Sequence, residues 1–349
     1  MRSRSVFGVC LLAFVGAFSG FGTPLLLAQA APSTESKTQP ATPSTPAPAP
    51  SAPPAQAAPA PGEKADKSDD ESVATVKTVV NEVRVVFTVT DKHGRYIKDL
   101  KKEDFKVIDD KGPAELRSFR SETDLPLQVG LLVDASNSVR DRFRFEQEAA
   151  IEFLNSIIRL RYDKAFIVGF DVTPEVTQDF TDDTEKLSVG VRALRPGGGT
   201  AMFDALYFAC RDKLLKQEQT GPVRRAIILL SDGEDNQSHV TREEAIDMAQ
   251  RAEAIVYTIS TNITGTKGAG DKTLERIADA TGGRSFFPFQ MRDVQDAFQS
   301  IQEELRSQYA ASYHPANFIA DGRYRTIEIQ APGRGLKVRA RKGYYAPKP

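Results

Sequence analysis

Between residues 127 and 307, short uninterrupted apolar runs alternate with longer segments of helical spacing. That alternation constrains the fold more than any other feature. The runs are Leu127–Val133, Ala165–Phe170, Ala226–Leu230 and Ile255–Ser260. A strand that is apolar on both faces must be covered on both faces. The intervening segments supply the cover. Phe145, Ala149, Phe153 and Ile157 recur at helical spacing within 143–160, and 184–194, 202–216, 241–254, 272–280 and 294–307 read as further helices. Thr241-Arg242-Glu243-Glu244 fits a capping box, and Gly282-Gly283 closes the helix before it. Residues 175–180 predict a short edge strand and 284–289 another strand. Repeated strand–helix units predict an α/β domain over 127–308, with a doubly wound, mainly parallel, Rossmann-like sheet.

The flanks follow a different grammar. Val83, Val85, Phe87 and Val89 alternate with partners of the opposite face, Asp91-Lys92-His93-Gly94 is a turn, and Asp104–Ile108 is a second short strand. After the α/β segment, 309–313, 324–330 and 336–345 are strand-like. Each flank alone would leave many open edges. The economical arrangement is that the β segments 76–126 and 309–349 pair into one small β-sandwich-like domain, into which the α/β domain is inserted. Lys337, Arg339 and Arg341 fall on one face of the last strand, expected to be solvated or in contact with anionic envelope polymers.

The ends of the chain read as processing and tether. Arg2 and Arg4 precede an apolar stretch, 6–27, followed by Ala28-Gln29-Ala30, the pattern of a secretory signal peptide over 1–30 cleaved after Ala30, with retention as an N-terminal membrane anchor as the alternative. Residues 31–75 form a Pro/Ala-rich linker that cannot build a core. No transmembrane helix is expected once the signal is cleaved. The expected location is secreted, periplasmic or outer cell envelope.

Charge and composition exclude several function classes. The 46 basic and 47 acidic residues nearly cancel, so no general pull toward nucleic acid is expected. Two cysteines, Cys10 and Cys210, cannot staple a small scaffold, and Cys210 on an apolar helical face reads as a buried thiol. Three scattered histidines argue against a His-based metal enzyme. There is no GxSxG, HExxH, GxGxxG or P-loop sequence.

The chemistry concentrates on three loops. The run ending at Val133 leads into Asp134-Ala135-Ser136-Asn137-Ser138, whose alternate side chains converge in an extended loop. The run ending at Leu230 leads into Ser231-Asp232-Gly233-Glu234-Asp235, and Gly197-Gly198-Gly199-Thr200 enters a helix between them. Carboxyl ends of strands form the ligand crevice of an open α/β sheet. Asp134, Ser136, Ser138, Thr200 and Asp232 together make an all-oxygen set of two carboxylates and three hydroxyls, suited to Mg²⁺, Mn²⁺ or Ca²⁺ and not to zinc or copper. Two carboxylates do not saturate a dication, so the ion would remain able to bind a carboxylate from a partner. Glu234 and Asp235 read as solvated loop residues or as groups behind the ligands.

These five residues resemble, in order and at every position, the metal-ion-dependent adhesion site of von Willebrand factor type A domains. The likeness covers about 127–307. The flanking motifs Val89–Gly94, Asp99-Leu100 with Glu103-Asp104-Phe105, and Leu336–Tyr345 resemble the VWFA-related family of secreted acidobacterial proteins. The resemblance implies a von Willebrand A fold, a secreted location, a metal site and last-helix movement on ligand engagement; it implies no settled biochemical activity. The expected function is a metal-dependent, adhesion-type module that captures an Asp or Glu carboxylate of a protein ligand, not an enzyme. The alternatives are a structural envelope protein with a vestigial metal site and a metal-dependent hydrolase.

Overall fold

A computed structural model describes residues 82–121, 125–218, 221–262, 264–288, 290–315, 318–331, 333 and 335–347. The expectations for 1–30 and 31–75 lie outside the described residues, as does the start of the first β segment. Strands β1 (Val83–Thr90), β2 (Lys106–Asp109) and β3 (Gly112–Ser121) come first. The central part runs β4 (Leu127–Asp134), α1 (Phe143–Ile157), β5 (Lys164–Phe170), β6 (Pro174–Thr181), α2 (Thr184–Ala193), α3 (Met202–Phe208), β7 (Arg224–Ser231), α4 (Arg242–Arg251), β8 (Ala254–Ser260), α5 (Ala269–Thr281), β9 (Ser285–Phe286) and α6 (Met291–Leu305). The chain ends with β10 (Tyr309–His314), β11 (Tyr324–Gln330), β12 (Lys337–Ala340) and β13 (Gly343–Tyr345).

The central strands form a six-stranded sheet in the order β6-β5-β4-β7-β8-β9, parallel except for the edge strand β6. Every residue of β4 and β8 is buried, because helices cover both faces. α1, α2 and α6 pack on one face and α3, α4 and α5 on the other. This is the doubly wound α/β fold expected from the alternation. From β4 the chain steps outward to β5 on one side and later to β7 on the other. Strand order therefore reverses between β4 and β7, and their carboxyl ends open the crevice where such folds bind ligands.

The flanking strands form one seven-stranded antiparallel sheet, β12-β1-β10-β3-β2-β11-β13. β1 pairs with β10 from Val83↔Tyr313 to Phe87↔Tyr309, which joins the two flanks directly. β12 and β13 are consecutive in the chain yet lie at opposite edges: β12 pairs with β1 and β13 with β11. The core under this sheet is aromatic, with Phe87, Phe105, Phe119 and Tyr309 in mutual ring contact.

Some expectations need correction. The helix expected over 202–216 ends as an α-helix at Phe208 and continues as a wider π-helical segment, Ala209–Leu214, which still buries Cys210 and Leu214. The strand expected over 284–289 shrinks to two residues at the sheet edge. Most importantly, the basic face of the last strand is not solvated. Lys337 is exposed, but the Arg339 guanidinium pairs with Glu304, itself fully buried, and Arg341 donates to the main-chain carbonyls of Gln250 (3.4 Å) and Arg84 (2.5 Å). Alternation does put these residues on one face, but that face packs against the α/β domain.

Candidate functional site

Asp134 is the last residue of β4, and Asp232 follows the last residue of β7, so the fold sets the two carboxylates side by side at the reversal of strand order. A chain of serine contacts joins them. Ser136 N donates to Asp134 Oδ1 (2.9 Å), the Ser136 and Ser138 hydroxyls lie 2.8 Å apart, and Ser138 Oγ donates to Asp232 Oδ2 (2.9 Å). Asp134 and Ser136 are buried, Asp232 is half-buried and Ser138 is exposed, so the set opens to solvent on the Ser138 side.

Thr200 is brought to the same crevice by main-chain bonds. Its N–H donates to Asn236 Oδ1 (3.0 Å), and its carbonyl accepts from the N–H groups of Asn236 (3.0 Å) and Gln237 (3.1 Å). On the other side Gly197 N donates to the Ala135 carbonyl (2.6 Å) and Asn137 N to that of Gly198 (3.5 Å). The segment 197–200 is thus clasped between the loops after β4 and β7. Asp235 Oδ2 accepts from Phe203 N (2.9 Å) at the start of α3, so Asp235 anchors that helix instead of facing the crevice as a free solvated group. Glu234 is exposed.

Two further residues belong to this site and were not anticipated. Ser231 Oγ donates to Asp134 Oδ2 at 2.6 Å, occupying the oxygen that Ser136 leaves open. Glu146 is buried on the inner face of α1; Arg142 donates to its Oε1 (3.3 Å), and Oε2 has no hydrogen-bond partner. A signal for Glu146 existed in the sequence, since it stands in the apolar stripe with Ala149, Ala150, Phe153 and Ile157.

The electrostatics are those of a site short of positive charge. Burial pushes the Asp134 carboxyl up to about 6, against the lowering effect of hydrogen bonds from Ser231 and Ser136; the neighbouring Asp232 charge adds to the rise. Burial likewise raises Glu146 to about 7, with Arg142 opposing and both aspartates reinforcing the shift. The hydrogen bonds to Asp134 come from hydroxyl and amide groups, none from a cationic side chain. A bound dication is a local charge large enough to reverse this balance. Among the described residues, no three His, Cys, Asp or Glu side chains cluster as a metal-binding group. A cation here would rest on two carboxylates with hydroxyls, and that donor set fits a hard ion.

Comparison with known proteins agrees with the fold. Residues 129–234 match the family model of the von Willebrand factor type A domain, and the chain therefore contains such a domain. The chain is similar to calcium-activated chloride channel regulator 1 of Bos taurus, at 33% identity over 169 residues. That match covers 46% of this chain and only 17% of the relative's length. Similar solved structures include the von Willebrand factor domain of the type V pili tip protein Mfa5 from Porphyromonas gingivalis (16% identity, 52% of this chain and 95% of that one, TM-score 0.43). Another is proximal thread matrix protein 1 from the mussel byssus, with a zinc-occupied metal-ion-dependent adhesion site (14% identity, 56% of this chain and 49% of that one, TM-score 0.46).

Proposed function

We propose that this protein is a secreted or envelope-associated binding module that holds a divalent cation, Mg²⁺ or alternatively Mn²⁺ or Ca²⁺, through Asp134, Ser136, Ser138, Thr200 and Asp232. In this reading the ion captures an Asp or Glu carboxylate of a protein partner. The observation that carries it is the buried Asp134 carboxylate, linked to Asp232 by serines and bonded only to neutral donors, at the point where strand order reverses. A metal bound there supplies the missing positive charge and a coordination position for the partner's carboxylate. The protein's own groups do the rest. Ser231 and Ser136 N orient Asp134, Ser138 orients Asp232, and the clasp on 197–200 fixes Thr200. This is binding chemistry, not catalysis. The proposed location follows from residues 1–30 of the sequence. No helix among the described residues is long and apolar enough to cross a membrane.

The test is thermal denaturation with and without metal. A ligand that binds only the native state adds RT ln(1 + [L]/Kd), about 2.7 kcal/mol at a hundredfold excess over Kd. For a chain of this size that corresponds to a rise of about 5–10 °C. Mg²⁺ or Mn²⁺ should produce it, chelator should reverse it, and Asp134→Ala should abolish it. A wild-type melting curve indifferent to millimolar metal would refute the proposal.

A further inference from the structure

We infer that the groove between α1 and α2 receives an acidic segment of the protein partner, adjoining the carboxylate captured at the crevice. The inference rests on the proposed metal-dependent reading of that crevice. The groove measures about 890 Å³ and presents four arginines, Arg140, Arg144, Arg192 and Arg195. Of its two carboxylates, Glu148 is paired with Arg144 at 3.4 Å, whereas Glu152 accepts from the neutral Gln295 amide at 2.9 Å and keeps its charge, so the arginines outnumber the carboxylates four to two. Arg192 faces Glu185, outside the groove, at 4.0 Å.

Arg140 and Arg195 differ from the others. Arg140 donates to Asn137 Oδ1 (3.0 Å) and to the Pro196 carbonyl (3.4 Å). Arg195 donates to the carbonyls of Arg192 (2.5 Å) and Leu194 (2.8 Å). All four acceptors are neutral, so both guanidiniums are oriented while their charge is left for a ligand. Arg140 also bridges the loop carrying Ser136 and Ser138 to the loop carrying Thr200, so the groove starts at the rim of the crevice. Planar guanidinium forks match carboxylates in geometry as well as charge. Buried Phe143 and half-buried Ile151 complete the lining, and Gln147 ties α1 to the end of α2 by donating to the Val191 carbonyl (2.7 Å). Because the group captured at the adjoining crevice is, in the proposed reading, a protein side-chain carboxylate, the occupant that fits the arginines beside it is an acidic stretch of that same protein.

The experiment uses the full chain in Mg²⁺ and two fluorescent peptides. One carries a single Asp flanked by glutamates, and the second the same Asp flanked by glutamines. The first should bind about tenfold more tightly than the second, equivalent to ~1.4 kcal/mol. Arg195→Glu should remove that preference while the metal-induced rise in melting temperature persists, and Arg140→Gln should weaken the preference in the same direction. If the two peptides bind equally, and chelator abolishes both, the groove assignment fails while the metal reading stands. If neither binds and chelator changes nothing, the metal reading fails and takes this inference with it. Arg195-dependent binding of a sulfated polysaccharide, with no preference for the glutamate peptide, would give the groove to a sugar and overturn the proposal.

Discussion

Glu146 puts a carboxylate into the apolar stripe of α1, beneath two aspartates, with one arginine to balance it. Its pKa is raised from 4.5 in the unfolded chain to about 7 in the fold. Between those values the folded protein holds a proton that the unfolded chain has released. Stability therefore falls as pH rises through about 5 to 7, by ~1.4 kcal/mol for each pH unit crossed. In chelator, Glu146→Gln should flatten that part of the pH–stability profile relative to wild type. Arg142, Asp134 and Asp232 are the charged groups facing it, and Asp134 tilts the profile in the same direction, so the difference between the two proteins is the informative quantity. Parallel profiles would mean that Glu146 does not titrate in this window. Ser231→Ala probes the neighbouring contact. It removes a donor from a buried carboxylate, which costs about 1–3 kcal/mol, and it should shrink the metal-induced rise in melting temperature without abolishing it.

The elements that carry the site were legible because each is buried on both faces. β4 and β7 are apolar runs whose ends fall at Asp134 and Ser231, so the sequence located both carboxylates at strand ends. β3 was not legible. Of its ten residues only Leu116 is buried, and no alternation marks a strand whose pairing with β10 comes from a distant flank. The π-helical segment was invisible for a related reason: a widened turn keeps Cys210 and Leu214 inward, so the apolar pattern does not change. The inward turn of Arg339 and Arg341 was missed because period-two alternation fixes a face but not what covers it. Gly233 is a local device of the site loop. Its φ is +81°, and a Cβ there would overlap the main chain of Gly270 at the start of α5. Gly233→Ala should therefore lower the melting temperature and displace Asp232, seen as a weakened metal response alongside retained far-ultraviolet dichroism.

At the scale of the whole molecule one buried carboxylate gathers partners from both sheets, alongside the Arg341–Gln250 contact. Glu304, near the end of α6, accepts from Tyr257 of β8 (3.0 Å) and from Tyr96 (2.9 Å) and pairs with Arg339 of β12. Gln308 extends the cluster by donating to the Tyr257 hydroxyl (3.0 Å). Removing one partner of such a pair leaves a charge without compensation, so Arg339→Ala should destabilise by ~3 kcal/mol. Glu304→Gln should cost less, because Arg339 retains some access to water. The same cluster fixes the position of the C-terminal end of α6 relative to the antiparallel sheet. A Gly/Ser insertion after Gln308 should alter partner affinity if α6 communicates with the crevice, by a factor within the ~1–3 kcal/mol typical of coupled sites. Unchanged affinity in a folded, metal-responsive protein would make the antiparallel sheet a pedestal.

The strand order of the antiparallel sheet also dictates a timetable. Among the strands, β1 pairs only with β10 and β12, both made after the entire α/β domain. A ribosome adding ~5–20 residues per second needs on the order of ten to forty seconds to cover the roughly 220 residues between β1 and β10. Throughout that interval β1 waits as an unmatched edge, open to wrong partners, while the α/β domain behind it can complete its own core. In refolding, amide protons of β4, β7 and β8 should gain protection first, and those of β1 should follow in a slower phase paced by closure of this long loop.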